Sequence, residues 1–287
     1  MDITSPKSSL LSLVPEKPIP TAPTEPNPIF LRELPKCNEE FRHMLAHILL
    51  PVELLVKFNI DPITLRNEQG RIMVHTGHSD DGMIWAIRLL NDIDPRDPLM
   101  EIEMADTQFN RIAINWVSMN DPTAPRFDID RMPDGSPTLR GTAQRNLQAE
   151  LAAMQAGLAP GQTRRGLKHF SRLLQDLEQF FAAMHQYEFE VEPLYYHAAI
   201  LFERNGFRYA RGRALMQRIH QGFLPGGDLR ARLDGSTPFR QSWMADSIRG
   251  RSWAIHDGIL DEVWDGIKMY KRLGVDARCH SAPDIAW

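Results

Sequence analysis

The stretch Gly161–Tyr209 constrains this chain most, because its punctuation permits few arrangements. It reads as a turn, a helix, a strand, a short helix and a second strand. Gly161 and Gly166 bracket Gln162, Thr163, Arg164 and Arg165, with Leu167 and Lys168 following. A Gly-bounded turn of this kind can aim backbone N–H groups and two guanidiniums at an anion, with the partial positive charge of a helix N-terminus behind them. Leu167, Phe170, Leu173, Leu174, Leu177, Phe180 and Phe181 recur at helical spacing, so the helix buries one face. From Glu188 to Glu192 polar and apolar residues alternate, which predicts a strand, and Pro193 stops it. A second helix over Ala198–Glu203 ends at Asn205-Gly206, which turns the chain into a strand at Phe207–Tyr209.

This order of basic turn, long helix, strand, the helix from Ala198 to Phe207 and strand resembles the C-terminal half of the GNAT N-acetyltransferase superfamily (acyl-CoA N-acyltransferases). Gly166 matches a glycine of the family's pyrophosphate turn, Thr163 stands where Arg or Gln is usual, and Lys168 replaces the second glycine. Aligned on Gly206-Phe207, Ala198 falls on the family Ala, Tyr195 on its Asn and Phe202 on its Tyr. The resemblance implies a mixed α/β fold, with a twisted, mostly antiparallel sheet flanked by helices. It also implies transfer of an acyl group from acetyl-CoA or another acyl-CoA to an amine on a small-molecule substrate. Gln162, Thr163, Arg164, Arg165, Gly166, Leu167 and Lys168 would then hold the coenzyme. A bulge in the central strand would offer a backbone N–H to the thioester carbonyl. Glu192 or Glu203 is the expected base. With Phe202 lacking a hydroxyl, Tyr195 or Tyr196 is the expected acid.

The rest of the chain divides into a Pro-rich tail (1–35), the α/β domain (36–220) and a C-terminal extension (221–287) expected to lie on the same domain. The tail's prolines favour extended backbone; Ile29, Phe30 and Leu31 offer an anchor, either along the surface or as an arm exchanged within a homodimer. Asn38 caps a predicted helix that Pro51 breaks. Ile63–Arg66 and Arg71–His75 read as a hairpin, and Gly82–Leu90 as a short amphipathic helix. Leu99–Met104 and Asn110–Ser118 read as an antiparallel strand pair. Thr142–Ala156 predicts a helix, Arg211–His220 a strand or strand pair, and Asp261–Arg272 a closing helix.

Charge and cysteine usage narrow the classes. A net charge of −4 over 287 residues gives no general affinity for nucleic acid. No apolar run is long enough to span a membrane, and Cys37 and Cys279 fit neither a disulfide framework nor a metal motif, which suits the cytoplasm. Two other readings stand beside acyl transfer. From Arg208 to Arg251 nine arginines face only Asp228, Asp234 and Asp246, so a non-catalytic protein could bind an anionic ligand there. A metal-dependent enzyme could instead use His75 and His78 with Asp80 and Asp81; His43 and His47, one helical turn apart, are a further pair.

Overall fold

The computed structural model describes residues 27–287 apart from Thr142, so most of the Pro-rich tail lies outside the described residues. Seven strands form one sheet: β1 (Val74–His78), β2 (Ile84–Leu89), β3 (Met100–Asp106), β4 (Ile112–Met119), β5 (Glu188–Val191), β6 (Arg208–Arg211) and β7 (Lys268–Arg272), in the order β1-β2-β3-β4-β5-β7-β6. Neighbours are antiparallel except β4 and β5, which run parallel. The expected α/β class with a mostly antiparallel sheet is therefore present.

Local pattern explains the elements. Along β3, Met100, Ile102 and Met104 are buried while Glu101 and Glu103 are half-exposed, the alternation of a sheet with one face on the core. Helix α4 (Phe170–Ala183) lays Leu173, Leu174, Leu177, Phe180 and Phe181 across the sheet. Phe180 stacks on Trp85 of β2 at 5.5 Å, and Phe181 on Phe189 of β5 at 4.4 Å. These aromatic contacts tie α4 to strands on either side of β3 and β4. Helices α1 (Glu39–Ile48), capped by Asn38, and α2 (Val52–Lys57), starting after Pro51, follow the sequence reading.

Four expectations are corrected. Gly82–Leu90 is not a helix: Trp85, Ile87 and Leu89 are buried at a period of two, and the segment is β2. Arg211–His220 is not a strand: Met216, Ile219, His220 and Phe223 share the inner side of α6 (Arg213–Phe223) at helical spacing. The closing segment is strand β7, entered through Gly266 at φ 68°. As a result β5 and β6 are not neighbours; β7 lies between them. The C-terminal extension thus supplies an inner strand as well as α7 (Asp228–Ala231) and α8 (Ile248–His256). The hairpin expected around Asn67–Gly70 is reduced to isolated bridges, Ile60 with Asn67 and Arg66 with Ile72. Among the described residues no helix is long and apolar enough to cross a membrane.

The end of the Pro-rich segment docks on its own chain. Leu31 and Leu34 are 0 % and 2 % exposed. The Asp106 carboxylate accepts the N–H groups of Leu31 and Arg32, both at 3.0 Å, and pairs with the Arg32 guanidinium at 3.2 Å. A buried carboxylate with three donors is a strong local clamp. Asp106→Ala is expected to lower the unfolding free energy by about 2–3 kcal/mol in urea. An unchanged midpoint would show that this segment contributes nothing to the fold.

Candidate functional site

Only Ala113 and Ile114 of β4 pair with β5, opposite Glu190 and Val191. Just beyond them, the β3–β4 register slips: Glu103 faces Trp116 and Met104 faces Ile114, which leaves Asn115 as an extra residue. Such a bulge bends the strand and increases its local twist. From Asn115 onward β4 has a partner on its β3 side only, and Pro193 denies β5 further pairing. The two strands part, and a cavity of about 550 Å³ opens between them.

The segment between β4 and α4 closes one wall. It carries helix α3 (Leu147–Gln155) and ends in the predicted turn. Two backbone bonds align it with the chain leaving β4, Asp121 N–H to the Arg165 carbonyl (2.9 Å) and Phe127 N–H to that of Thr163 (2.8 Å). A Cβ on Gly166 would lie 3.2 Å from the Met119 carbonyl, so the turn rides close on the strand end. Arg164 pins it. This side chain is buried, donates to Asp97 (2.7 Å), pairs with Asp94 and reaches the carbonyls of Ala124 (2.7 Å) and Pro122 (3.3 Å). Arg126 shares Asp97 at 2.9 Å.

The turn residues therefore divide. Arg164 is spent on structure, Thr163 is buried, and the Gln162 amide oxygen accepts the Ala159 N–H. Arg165 and Lys168 line the cavity, and among the described residues neither has a carboxylate partner. Lys168 takes a left-handed φ of 60° just before α4 begins, leaving the first N–H groups of that helix free. Arg249, at the start of α8, joins them. Its buried Nε has no hydrogen-bond partner, and burial first, then the like charge of Arg165, lower its pKa. Among the cavity-lining residues, Arg140, Arg165, Lys168 and Arg249 form no ion pair with a described residue, and Glu192 is the one acidic side chain in the lining.

Of the expected acid–base residues, the structure brings two to the cavity. Glu192 follows β5 and is well exposed, with Lys268 Nζ 3.7 Å away. Tyr195 lines the wall, donates its hydroxyl to the Arg140 carbonyl at 2.7 Å, and is pushed up to about 12 by burial. The other two lie elsewhere. Tyr196, which opens α5 (Tyr196–Arg204), is 1 % exposed and faces the core. Glu203 accepts the Ser281 hydroxyl at 2.6 Å and the Tyr209 hydroxyl at 2.5 Å, so it anchors the C-terminal segment. Both are outside the cavity lining, which does not suit them to proton transfer there.

Four of the nine arginines in the arginine-rich segment are neutralised within the fold. Arg218 pairs with Asp228, Arg230 with Asp246, Arg232 with Asp261 and Arg240 with Asp257. Arg249 is the member that reaches the cavity. His75 and His78 lie three residues apart on β1, hence on opposite faces of the strand. Among the described residues no group of three or more His, Cys, Asp or Glu could hold a metal ion. Sequence reasoning missed Arg140, Trp116 and His197 as cavity residues. The Arg-Gly-Arg-Ser-Trp run at Arg249–Trp253 was visible, but nothing in it distinguished Arg249 from its neighbours.

His197 lies under the cavity wall, its Nδ1 2.9 Å from Ser252 Oγ, and burial brings its pKa from 6.5 down to about 3. Below pH 6.5 the unfolded chain gains a proton here that the folded chain refuses, so stability falls as pH drops toward 3. His197→Gln should flatten this limb by up to about 1.4 kcal/mol per pH unit between pH 6.5 and about 4.5, above most carboxylate titration. Parallel stability curves for variant and wild type over that window would contradict a neutral, buried imidazole.

In comparisons with protein-family models, curated proteins and solved structures, the chain matches none.

Proposed function

We propose that the cleft between β4 and β5 binds an acyl-coenzyme A and that the protein transfers its acyl group to an amine. The observation that carries this reading is the parting of a parallel strand pair beside a bulge, with basic side chains at the end of β4 that form no ion pair among the described residues. An extended, amide-bearing arm fits between two strands that no longer pair with each other. A bulge leaves a residue unpaired in the ladder, so the backbone N–H at Asn115 can meet a thioester carbonyl. Arg165, Lys168, Arg249 and the first N–H groups of α4 suit the coenzyme's phosphates.

In this mechanism positioning does most of the work. Glu192 takes a proton from the amine as its nitrogen attacks the carbonyl carbon. The C–S bond then breaks, and the thiolate is protonated by water at the open mouth. Tyr195 holds Arg140 and does not act as the acid: its hydroxyl is engaged by the Arg140 carbonyl, and a pKa near 12 makes donation to a thiolate uphill.

Release of free thiol from acetyl-CoA and longer acyl-CoA thioesters, in the presence of a panel of amines, tests the reading. Glu192→Gln should lower kcat about a hundredfold with KM for the thioester little changed. Joint replacement of Arg165 and Arg249 by Ala should raise that KM about tenfold or more, with stability equal to wild type or higher, since two like charges part. Wild-type protein that turns over no thioester would rule the reading out. Full activity in Glu192→Gln would remove that residue from the mechanism.

A further inference from the structure

Arg140 is positioned more tightly than any wall of a cavity requires. It follows Leu139 and precedes Gly141 in a run of left-handed residues, with φ of 49°, 55° and 88°. Consecutive non-glycine residues in that region persist only where the surroundings over-determine them, and they cluster at ligand sites. Here the surroundings are visible. A Cβ on Gly141 would come within 2.7 Å of His256 Cε1 and 2.8 Å of Glu150 Oε1, so the turn presses on that buried pair. The Arg140 carbonyl accepts the Tyr195 hydroxyl, Nη1 donates to the Gly161 carbonyl at 3.0 Å, and the guanidinium lies 4.4 Å from the Trp116 ring centroid.

Among the described residues no carboxylate neutralises it. Of the five N–H donors of a guanidinium, Arg140 uses one on the described residues. Glu150, beneath the turn, is already held by Arg145 at 2.6 Å and His256 at 3.0 Å. Among the described residues Arg126, Arg145, Arg164 and Arg240 each have a carboxylate, and the fully buried Arg251, which has none, is held by the Ala245 carbonyl and His220; Arg140 has no carboxylate and faces the cavity. A fixed, planar, partly buried fork facing a cavity matches a carboxylate brought in by a ligand.

Its place in the cleft says which ligand. Trp116 is one residue past the Asn115 bulge, and Tyr195 is three past Glu192, so Arg140 bridges the two strands beside the acyl carbonyl and the base. The phosphate wall is further along. Asp121, which bonds the Arg165 carbonyl, follows Trp116 by five residues, roughly 16 Å of extended chain. Resting on the acyl-transfer reading above, we infer that the acceptor is an amine that also carries a carboxylate, an amino acid or a close relative, and that Arg140 binds the carboxylate.

The test is a calorimetric titration of protein saturated with coenzyme A, using the common amino acids, each beside the amine that lacks its carboxylate. At least one amino acid should bind, about tenfold or more tightly than its amine. Arg140→Met should erase that preference while leaving affinity for coenzyme A unchanged. Arg140→Lys, which keeps the charge without the fork, should retain part of it and guards against a folding defect in the Met variant. Equal binding of acids and amines, no amino-acid binding to coenzyme-loaded protein, or an Arg140→Met variant that keeps the preference would each overturn the inference and leave acyl transfer standing. Failure of coenzyme A itself to bind would overturn acyl transfer, and this inference with it.

Discussion

Two residue pairs hold β4 to β5, and what is particular about this protein begins where they stop. A parallel pair needs its connection carried over the sheet face, here by the long segment ending in α4. Twist and the Asn115 bulge then drive the strands apart. An unpaired β-strand exposes a row of backbone donors and acceptors, which must meet water, another segment or a ligand. The fold meets this demand on one side with the turn at Gly161–Lys168. The remainder stays open as a cavity.

The turn could not hold its position by propensity alone. Arg164 and Arg126 share the Asp97 carboxylate, and Arg164 also takes Asp94 and two carbonyls, so a loop far along the chain is fastened to the segment between β2 and β3. Buried charges of this kind contribute little net stability against an apolar alternative, but removal of one partner is costly, which fixes geometry. With Arg164 committed inward, Arg165 is left facing the cleft. Adjacent residues of the same type thus do opposite jobs, one structural and one available to a ligand.

Much of the frame was legible from sequence. The alternation in Met100–Asp106 and Glu188–Val191, and the apolar stripe of α4, are local patterns that the core simply uses. The errors share a cause. In Ile84–Leu89, the buried tryptophan, isoleucine and leucine fit a period of two, and the apolar Ile84 and Ala86 on the other face blur it, leaving Arg88 as its only polar mark. At Lys268–Arg272 a strand of mostly charged residues is drawn into the sheet's interior because Met269 and Lys271 turn inward between β5 and β6. No local signal announces such a placement. The site was half legible: the basic turn and Glu192 were identified, but which arginine faces the cavity depends on Asp97, nearly seventy residues earlier. Arg140 and Arg249 belong to segments whose proximity only the fold creates.

The cleft's assignment stands or falls on where a coenzyme lies. A crystal structure of the protein grown with coenzyme A measures this directly. The account predicts the pantetheine arm between β4 and β5, an amide or thiol end near Asn115, and the phosphates among Arg165, Lys168 and Arg249. Coenzyme bound on another face, or an empty cleft at saturating coenzyme, would contradict it.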